Sequence, residues 1–364
     1  MTVYKREKRM KAVLLAPTPP PVGGIAKWTE RMMNAELKNG WQVSVVDEKL
    51  ISNREVFGDH VKRSLPTEIK RCFRIWKNLK RELKDPEAKV VHSCIPSATL
   101  SMLREYVCAC ITKNRKRKFI IHFRCTVPNT AKGRAAGFML KRLCNKSDMI
   151  ILLNGQSVDY LKNMTDTPVA LIPNFIDDTE ICAEHTTAPE IKTALYIGGV
   201  IKTKGCADIV DVARAFPNIN FRLVGRADDE IIAYADGLKN VVFTGVKEKS
   251  ELQEEMKNAD VFMFLSYFPG EGFSNALAEA MAAGLPCIVT DWAANADMIE
   301  NEKGGLVVSV RAPNAASKAL EKMSDPQFRK QCSDFNIRKV REMYSEKYVV
   351  SQYVDCYEKL VKDK

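Results

Sequence analysis

Residues 261–290 read VFMFLSYFPGEGFSNALAEAMAAGLPCIVT. The run Val261–Leu265 is apolar throughout, as a strand covered on both faces is. The loop SYFPGEGF follows, and a helix is expected from Ser274 or Asn275 through Ala283. Gly284 stops that helix, and Pro286 stands behind the stop. Cys287–Thr290 is the next strand. Strand, loop, helix and strand in this order build a parallel sheet. The loop then lies at the carboxyl end of the first strand, where doubly wound folds bind ligands.

The alternation extends in both directions. Ala194–Ile197, Phe221–Val224 and Val241–Phe243 precede it as strands. An earlier series comprises Ala12–Ala16, Val43–Val46, Val90–His92, Phe119–Phe123, Met149–Leu152 and Val169–Ile172, with a helix over Ile25–Lys38. The restart after Pro173-Asn174 predicts an α/β protein of two Rossmann-like doubly wound domains facing a central cleft, residues 1–174 and 175–344. Tyr344–Lys364 reads as a closing helix. A length of 364 residues suits two domains, and 46% hydrophobic with 28% charged residues excludes a disordered chain. No uncharged apolar run reaches the ~18 residues of a membrane span, and Ala12–Ala16 is too short for a signal-peptide core. A cytoplasmic protein is expected. Eleven irregularly spaced cysteines fit a reducing compartment and no zinc pattern.

The charge is uneven. Residues 1–174 carry 33 Lys and Arg against 15 Asp and Glu (net +18), and the remainder 23 against 30 (net −7). A basic half suits an anionic partner, either nucleic acid or an acidic membrane surface. Between Lys62 and Lys84, the apolar residues Ile69, Cys72, Phe73, Trp76, Leu79 and Leu83 recur every three or four positions, among basic residues that include Arg74, Lys77 and Lys80. Such a helix either lies on anionic lipid or packs its stripe on its own core. No base-reading module accompanies the basic half, which argues against nucleic acid as the partner.

Three segments carry candidate chemistry. Glu271 lies in the loop and Glu279 in the helix, flanking the backbone N–H groups near Ser274, Asn275 and Ala276; Gly272 leaves room for close approach. A carboxylate can accept two hydrogen bonds from a vicinal diol of a sugar or ribose. Gly23-Gly24 follows the first strand and opens a helix, a place where amides meet phosphate. GGVIKTKG, residues 198–205, offers Lys202 and Lys204 after the first strand of the second series. No Asp-x-Asp pair suggests a metal site.

The block from Glu271 to Thr290 resembles family 4 (group 1) of the glycosyltransferases, retaining enzymes of the GT-B fold that use nucleotide sugars. Glu271, Gly272, Phe273, Glu279, Ala280, Met281, Ala282, Gly284, Pro286 and Thr290 match its pattern. PPPVGGIA, IIHF ending at His122, IPNFID, YIGGVIKTKG and FTG extend the likeness. The resemblance implies that Glu271 binds donor-sugar hydroxyls and Glu279 the ribose. It assigns the diphosphate to Lys204, helped by Lys202 and the amides at Asn275 and Ala276, and brings Gly24 up to the phosphate. His122 would hydrogen-bond the donor sugar, and backbone near Val246 and Lys247 would meet the base. His92, at the end of another strand, is a minor candidate. It further implies metal-independent catalysis, no cofactor beyond a UDP- or GDP-type donor, a tail helix (345–364) crossing back onto the first domain, and a glycan acceptor. The +18 half and the stripe around Trp76 point to a lipid-linked saccharide acceptor and to peripheral placement on the inner face of the cell membrane. Two positions depart from the family: Phe175 replaces a usual glycine, and Gly199 stands where arginine is common. A sugar-nucleotide epimerase or hydrolase on the same architecture, or a nucleic-acid-binding protein, are the rival readings.

Overall fold

The computed structural model describes residues 9–20, 23–49 and 65–362. The chain divides into two compact units, Met1–Asn174 with Glu346–Lys364, and Phe175–Ser345.

The first unit is built on strands β1 (Met10–Ala16), β2 (Trp41–Asp47), β3 (Ala88–Ile95), β4 (Lys118–Phe123), β5 (Met149–Leu152) and β6 (Val169–Leu171). They form one sheet in the order β2-β1-β3-β4-β5-β6, every pair parallel. The order reverses between β1 and β3, which makes that edge the switch point of the sheet. Side chains alternate across the sheet. Val13, Leu15, Val91, Ile95, Ile121 and Phe123 face a core shared with the helices Leu65–Glu82, Thr99–Asn114 and Arg134–Lys146. On the other face, Cys94 of β3 stands in register with His122 of β4. The Glu346–Lys362 helix covers this face, through Tyr353 and Tyr357.

The second unit repeats the plan with β7 (Thr193–Ile197), β8 (Asn220–Val224), β9 (Val241–Gly245), β10 (Val261–Phe264), β11 (Cys287–Thr290) and β12 (Gly305–Val308). Its order is β12-β11-β10-β7-β8-β9, again all parallel, so the switch point lies between β10 and β7. Strand β12 was not expected; its apolar run of three residues after Gly304-Gly305 is too short to stand out as a strand.

Two helices differ from expectation. The first spans Gly24–Asn34 rather than reaching Lys38, because a separate 3-10 turn at Lys38–Gly40, with Asn39 at φ 60°, follows it. The stripe of the basic helix divides between two faces. Ile75, Leu79 and Leu83 are buried, with Trp76 packed against the same core. Ile69 and Phe73 stay in solvent, 50% and 64% exposed, beside Leu65 at 64%. A spacing of three and four residues fits either side of a helix, and Ile75, one residue off the chosen stripe, marks the true inner face. The segment from Lys62 to Ser64 lies outside the described residues. No described helix is long and apolar enough to cross a membrane. All eleven cysteines are free thiols.

Candidate functional site

The loops after β7 and β10 meet at the switch point of the second unit. The Tyr267 amide donates to the Thr203 carbonyl (2.9 Å), tying the two loops together. Gly205 makes the close approach possible. It has φ +75°, and a Cβ there would lie 2.1 Å from the Leu265 carbonyl oxygen, a contact no side chain survives.

Within this frame Lys204 Nζ pairs with Glu271 Oε2 at 2.5 Å, and Ser266 Oγ donates to the same oxygen at 3.3 Å. The ammonium also lies 4.7 Å from the ring centre of Phe268, a cation–π contact. Glu271 is held at the loop end by its own amide, which donates to the Phe268 carbonyl. The Thr290 hydroxyl donates to the Ser266 carbonyl (2.5 Å), and Trp292 Nε1 to the Phe268 carbonyl (2.8 Å). The side chains of β11 and its following loop therefore brace this one.

The helix Asn275–Ala282 begins immediately after it. Ser274 is its N-cap, its hydroxyl accepting from the Leu277 amide (3.3 Å), and Gly284 at φ +78° ends the run after Ala283. Asn275 and Ala276 thus present the positive helix end beside Lys204 and Glu271. Gly272 is buried in the loop, and Phe273 packs its ring edge-on to Tyr344 (5.1 Å), so that ring braces the loop from behind. Glu279, half-buried in the second turn, lines a cavity of about 540 Å3 together with Thr179, Cys182, His185, Gln253 and Met256. Glu271 is not in the lining of that cavity.

Other expected donor-site residues lie nearby with other ties. Lys202 is exposed and reaches Glu230 (3.3 Å). The Gly199 carbonyl accepts from the Tyr196 hydroxyl (2.8 Å), and a Cβ on Gly199 would meet nothing within 4 Å. Val246 is 79% exposed. Lys247 turns its ammonium to Glu251 and Glu255, in a separate cavity with Arg222.

In the first unit, Gly23 is the extended N-cap of the helix Gly24–Asn34, and its carbonyl accepts from the Lys27 amide. His122 is fully buried. Its Nε2 meets Arg124 Nη1 at 3.2 Å, and its Nδ1 meets His92 Nε2 at 3.1 Å. A guanidinium only donates, so Nε2 of His122 accepts and Nδ1 carries the hydrogen. His92 then accepts at Nε2, and its Nδ1–H donates to the Tyr357 hydroxyl (2.7 Å). Burial, with the Arg124 charge behind it, pushes the His92 imidazole down to about 3 and His122 well below its ordinary value. His92, Cys94 and His122 offer ligand atoms within 4.8 Å of one another. The hydrogen-bond chain places hydrogens on His122 Nδ1 and His92 Nδ1, and burial keeps Cys94 a thiol, its pKa pushed up. A metal there would have to displace the bond from Arg124.

Of the basic-helix residues, Lys77 and Lys80 are exposed. Arg74 instead donates to the Lys49 carbonyl (2.5 Å), and Trp76 Nε1 to the Arg104 carbonyl (3.4 Å), so both serve the fold. The sequence reading missed Arg124, Ser266 and Phe268. Ser266 and Phe268 stand within five residues of Glu271, where a loop charge calls for a polar neighbour.

The family model of glycosyl transferases group 1 matches residues 177–339. That segment, which holds the candidate site, resembles the group 1 glycosyl transferases. Among similar proteins, the N-acetyl-alpha-D-glucosaminyl L-malate synthase of Bacillus anthracis is 25% identical over 219 residues, 54% of this chain and 55% of that protein. The GDP-mannose:cellobiosyl-diphosphopolyprenol alpha-mannosyltransferase of Xanthomonas campestris is 26% identical over 216 residues, 54% of each. The matches thus span about half the length of these relatives. The sucrose-phosphate synthase structure from Thermosynechococcus elongatus superimposes with a TM-score of 0.76 at 17% identity, covering 98% of this chain and 100% of that one. At that identity the likeness is one of fold, the paired Rossmann-like units of the GT-B class.

Proposed function

We propose that this chain transfers a glycosyl group from a UDP- or GDP-type nucleotide sugar, with retention, to a glycan or lipid-linked saccharide acceptor. The observation that carries the reading is the Lys204–Glu271 pair set against the amide-bearing start of the helix Asn275–Ala282. Transfer needs a negative site near a developing sugar cation and a positive site near a departing diphosphate. Glu271 supplies the first, and Lys204 with the helix end supplies the second, preorganised in a loop braced on two sides. Before donor binds, the carboxylate neutralises the ammonium; a diphosphate competes for Lys204 and frees Glu271 for sugar hydroxyls. Glu279 serves the ribose. Ammonium and helix end take the place of a metal. Retention is read, on the resemblance alone, as front-face attack, with the leaving phosphate accepting the acceptor's proton. The GDP-mannose in the name of the Xanthomonas relative supports a nucleotide-sugar donor.

The acceptor is assigned to the basic first unit, at the cytoplasmic face of a membrane. Leu65, Ile69 and Phe73 project from the basic helix beside exposed Lys77 and Lys80, an arrangement suited to anionic lipid. Calorimetric titration with UDP and with GDP, on the wild type and on Glu279→Ala, tests the donor site. Trapping a glycosylated product, rather than an isomerised or hydrolysed donor, tests the reaction. Absence of nucleotide binding to the wild type overturns the proposal. Sedimentation with anionic vesicles at low salt tests the membrane assignment, which fails if the protein stays in the supernatant.

A further inference from the structure

Arg124 is a buried charge whose partners among the described residues are all neutral. It follows β4 directly, at the carboxyl end of the strand next to β3, and its backbone amide donates to the Ile95 carbonyl at the end of β3 (2.8 Å). The residue is 8% exposed. Its Nη1 donates to His122 and its Nη2 to Asn174 Oδ1, and the guanidinium lies 5.0 Å from the ring centre of Trp28. Among the described residues no carboxylate stands within ion-pair distance of it.

The other buried arginines show what ordinary compensation looks like. Arg104 holds Glu48 and Glu105 at 2.7 and 2.6 Å. Arg329 is capped by the carbonyls of Ala188, Pro189 and Met323, with Asp260 and Asp325 near enough to act on it. An imidazole nitrogen, one amide oxygen and the Tyr353 hydroxyl are a poor exchange for the water a guanidinium gives up on burial. Neither histidine can supply a counter-charge. The deficit lies at the carboxyl ends of the strands, one strand from the switch point between β1 and β3, on the side where doubly wound units take ligands.

We propose that Arg124 is the seat of an anionic group, a phosphate or a carboxylate, carried by the acceptor that the first unit receives. The assignment rests on the transferase reading above for the word acceptor; the anion site itself rests on the charge deficit. An arriving anion takes the guanidinium N–H from His122 Nε2 by a charge-assisted bond, and the imidazole chain from His122 through His92 to Tyr357 registers the change.

The test uses the full chain labelled with 15N in its histidine rings, with saturating UDP or GDP filling the donor site. Inorganic pyrophosphate and malate are titrated separately as phosphate and carboxylate probes. The expected result is a saturable shift of His122 Nε2 with at least one probe, and which probe succeeds names the anion. Arg124→Gln should weaken that probe at least tenfold while nucleotide affinity stays within twofold. Arg124→Lys, which keeps the charge, should retain part of the probe binding and guards against a folding defect in Arg124→Gln. The proposal is overturned if neither probe moves the His122 ring nitrogens, or if Arg124→Gln binds the probe as the wild type does. Failure of both nucleotides to bind would count against the transferase reading, and the anion titration would still be read without them.

Discussion

Lys204 sits between two demands, the carboxylate of Glu271 and the diphosphate proposed for it. A charge-assisted hydrogen bond contributes about 1.5–3 kcal/mol, so Lys204→Met should weaken nucleoside diphosphate binding roughly 10- to 100-fold by calorimetry. The opposite change is available at Gly199, where an added Cβ has open space. Gly199→Arg should leave the melting temperature unchanged and tighten the same titration several-fold, since a guanidinium fork matches a phosphate. Unchanged or weaker binding would mean that the position lies out of reach of the diphosphate. The buried imidazoles give a pH signature. His92 stays neutral in the fold down to about pH 3, whereas the unfolded chain takes up a proton near 6.5. The unfolded state therefore binds more protons below that value, and stability falls as pH drops from about 6.5 towards 3, by up to about 1.4 kcal/mol per pH unit for each such group. Burial also pushes the Glu48 carboxyl up, to about 8, which tilts stability the other way over part of this range. The check is accordingly a comparison: urea unfolding at pH 7.5 and 5.0 should show a smaller loss in His92→Gln than in the wild type. Glu271 and Lys204 could be singled out from the sequence because each lies in a short stretch of telling composition. Arg124 could not, because Trp28 and Asn174, which define its surroundings, lie 96 residues before it and 50 after it in the chain.

Strand β10, its loop and the helix Asn275–Ala282 behave as one device, since the cap that starts the helix also ends the loop. Ser274→Ala removes the acceptor for the Leu277 amide and should cost about 1 kcal/mol in urea unfolding. It should also loosen Glu271, seen as a fall in kcat larger than the change in nucleotide affinity. A variant with unaltered stability would show that Ser274 does not cap in solution. This helix was legible to within a residue because a serine, an apolar run, a glycine and a proline punctuate it. The basic helix Leu65–Glu82 was legible as a helix and misread as to face. Its outward Ile69 and Phe73 are as apolar as its inward Ile75 and Leu79, so periodicity alone could not say which row meets the core. The strand Gly305–Val308 escaped notice because its apolar run is only three residues long, and its pairing with β11 is a tertiary fact.

Two units with the same switch-point logic emerge from one chain, and only the second is contiguous in sequence. The first sheet is finished by the Glu346–Lys362 helix. Tyr353 accepts from Trp28 Nε1 (3.3 Å), Tyr357 takes the His92 hydrogen bond and packs on Trp41, and Lys38 meets Asp355 at 2.6 Å. Ending the chain after Ser345 should uncover Trp28 and Trp41, now 2% and 3% exposed. Their emission should shift to the red and the first unit should lose its cooperative melt, while residues 175–345 keep theirs. An unshifted spectrum would mean that the helix is dispensable. Composition and strand count suggested two domains. The tail's place on the first was available only through the family likeness, because a terminal amphipathic helix carries no address of its own.

The return of the tail also fixes an order of events on the ribosome. Residues 175–345 can close their sheet as soon as they leave the exit tunnel. The sheet of the first unit, although made before it, must wait with one apolar face and two histidines uncovered until Glu346–Lys362 arrives. During that interval it is the natural client of a chaperone, and slowing translation between residues 175 and 362 would lengthen its exposure.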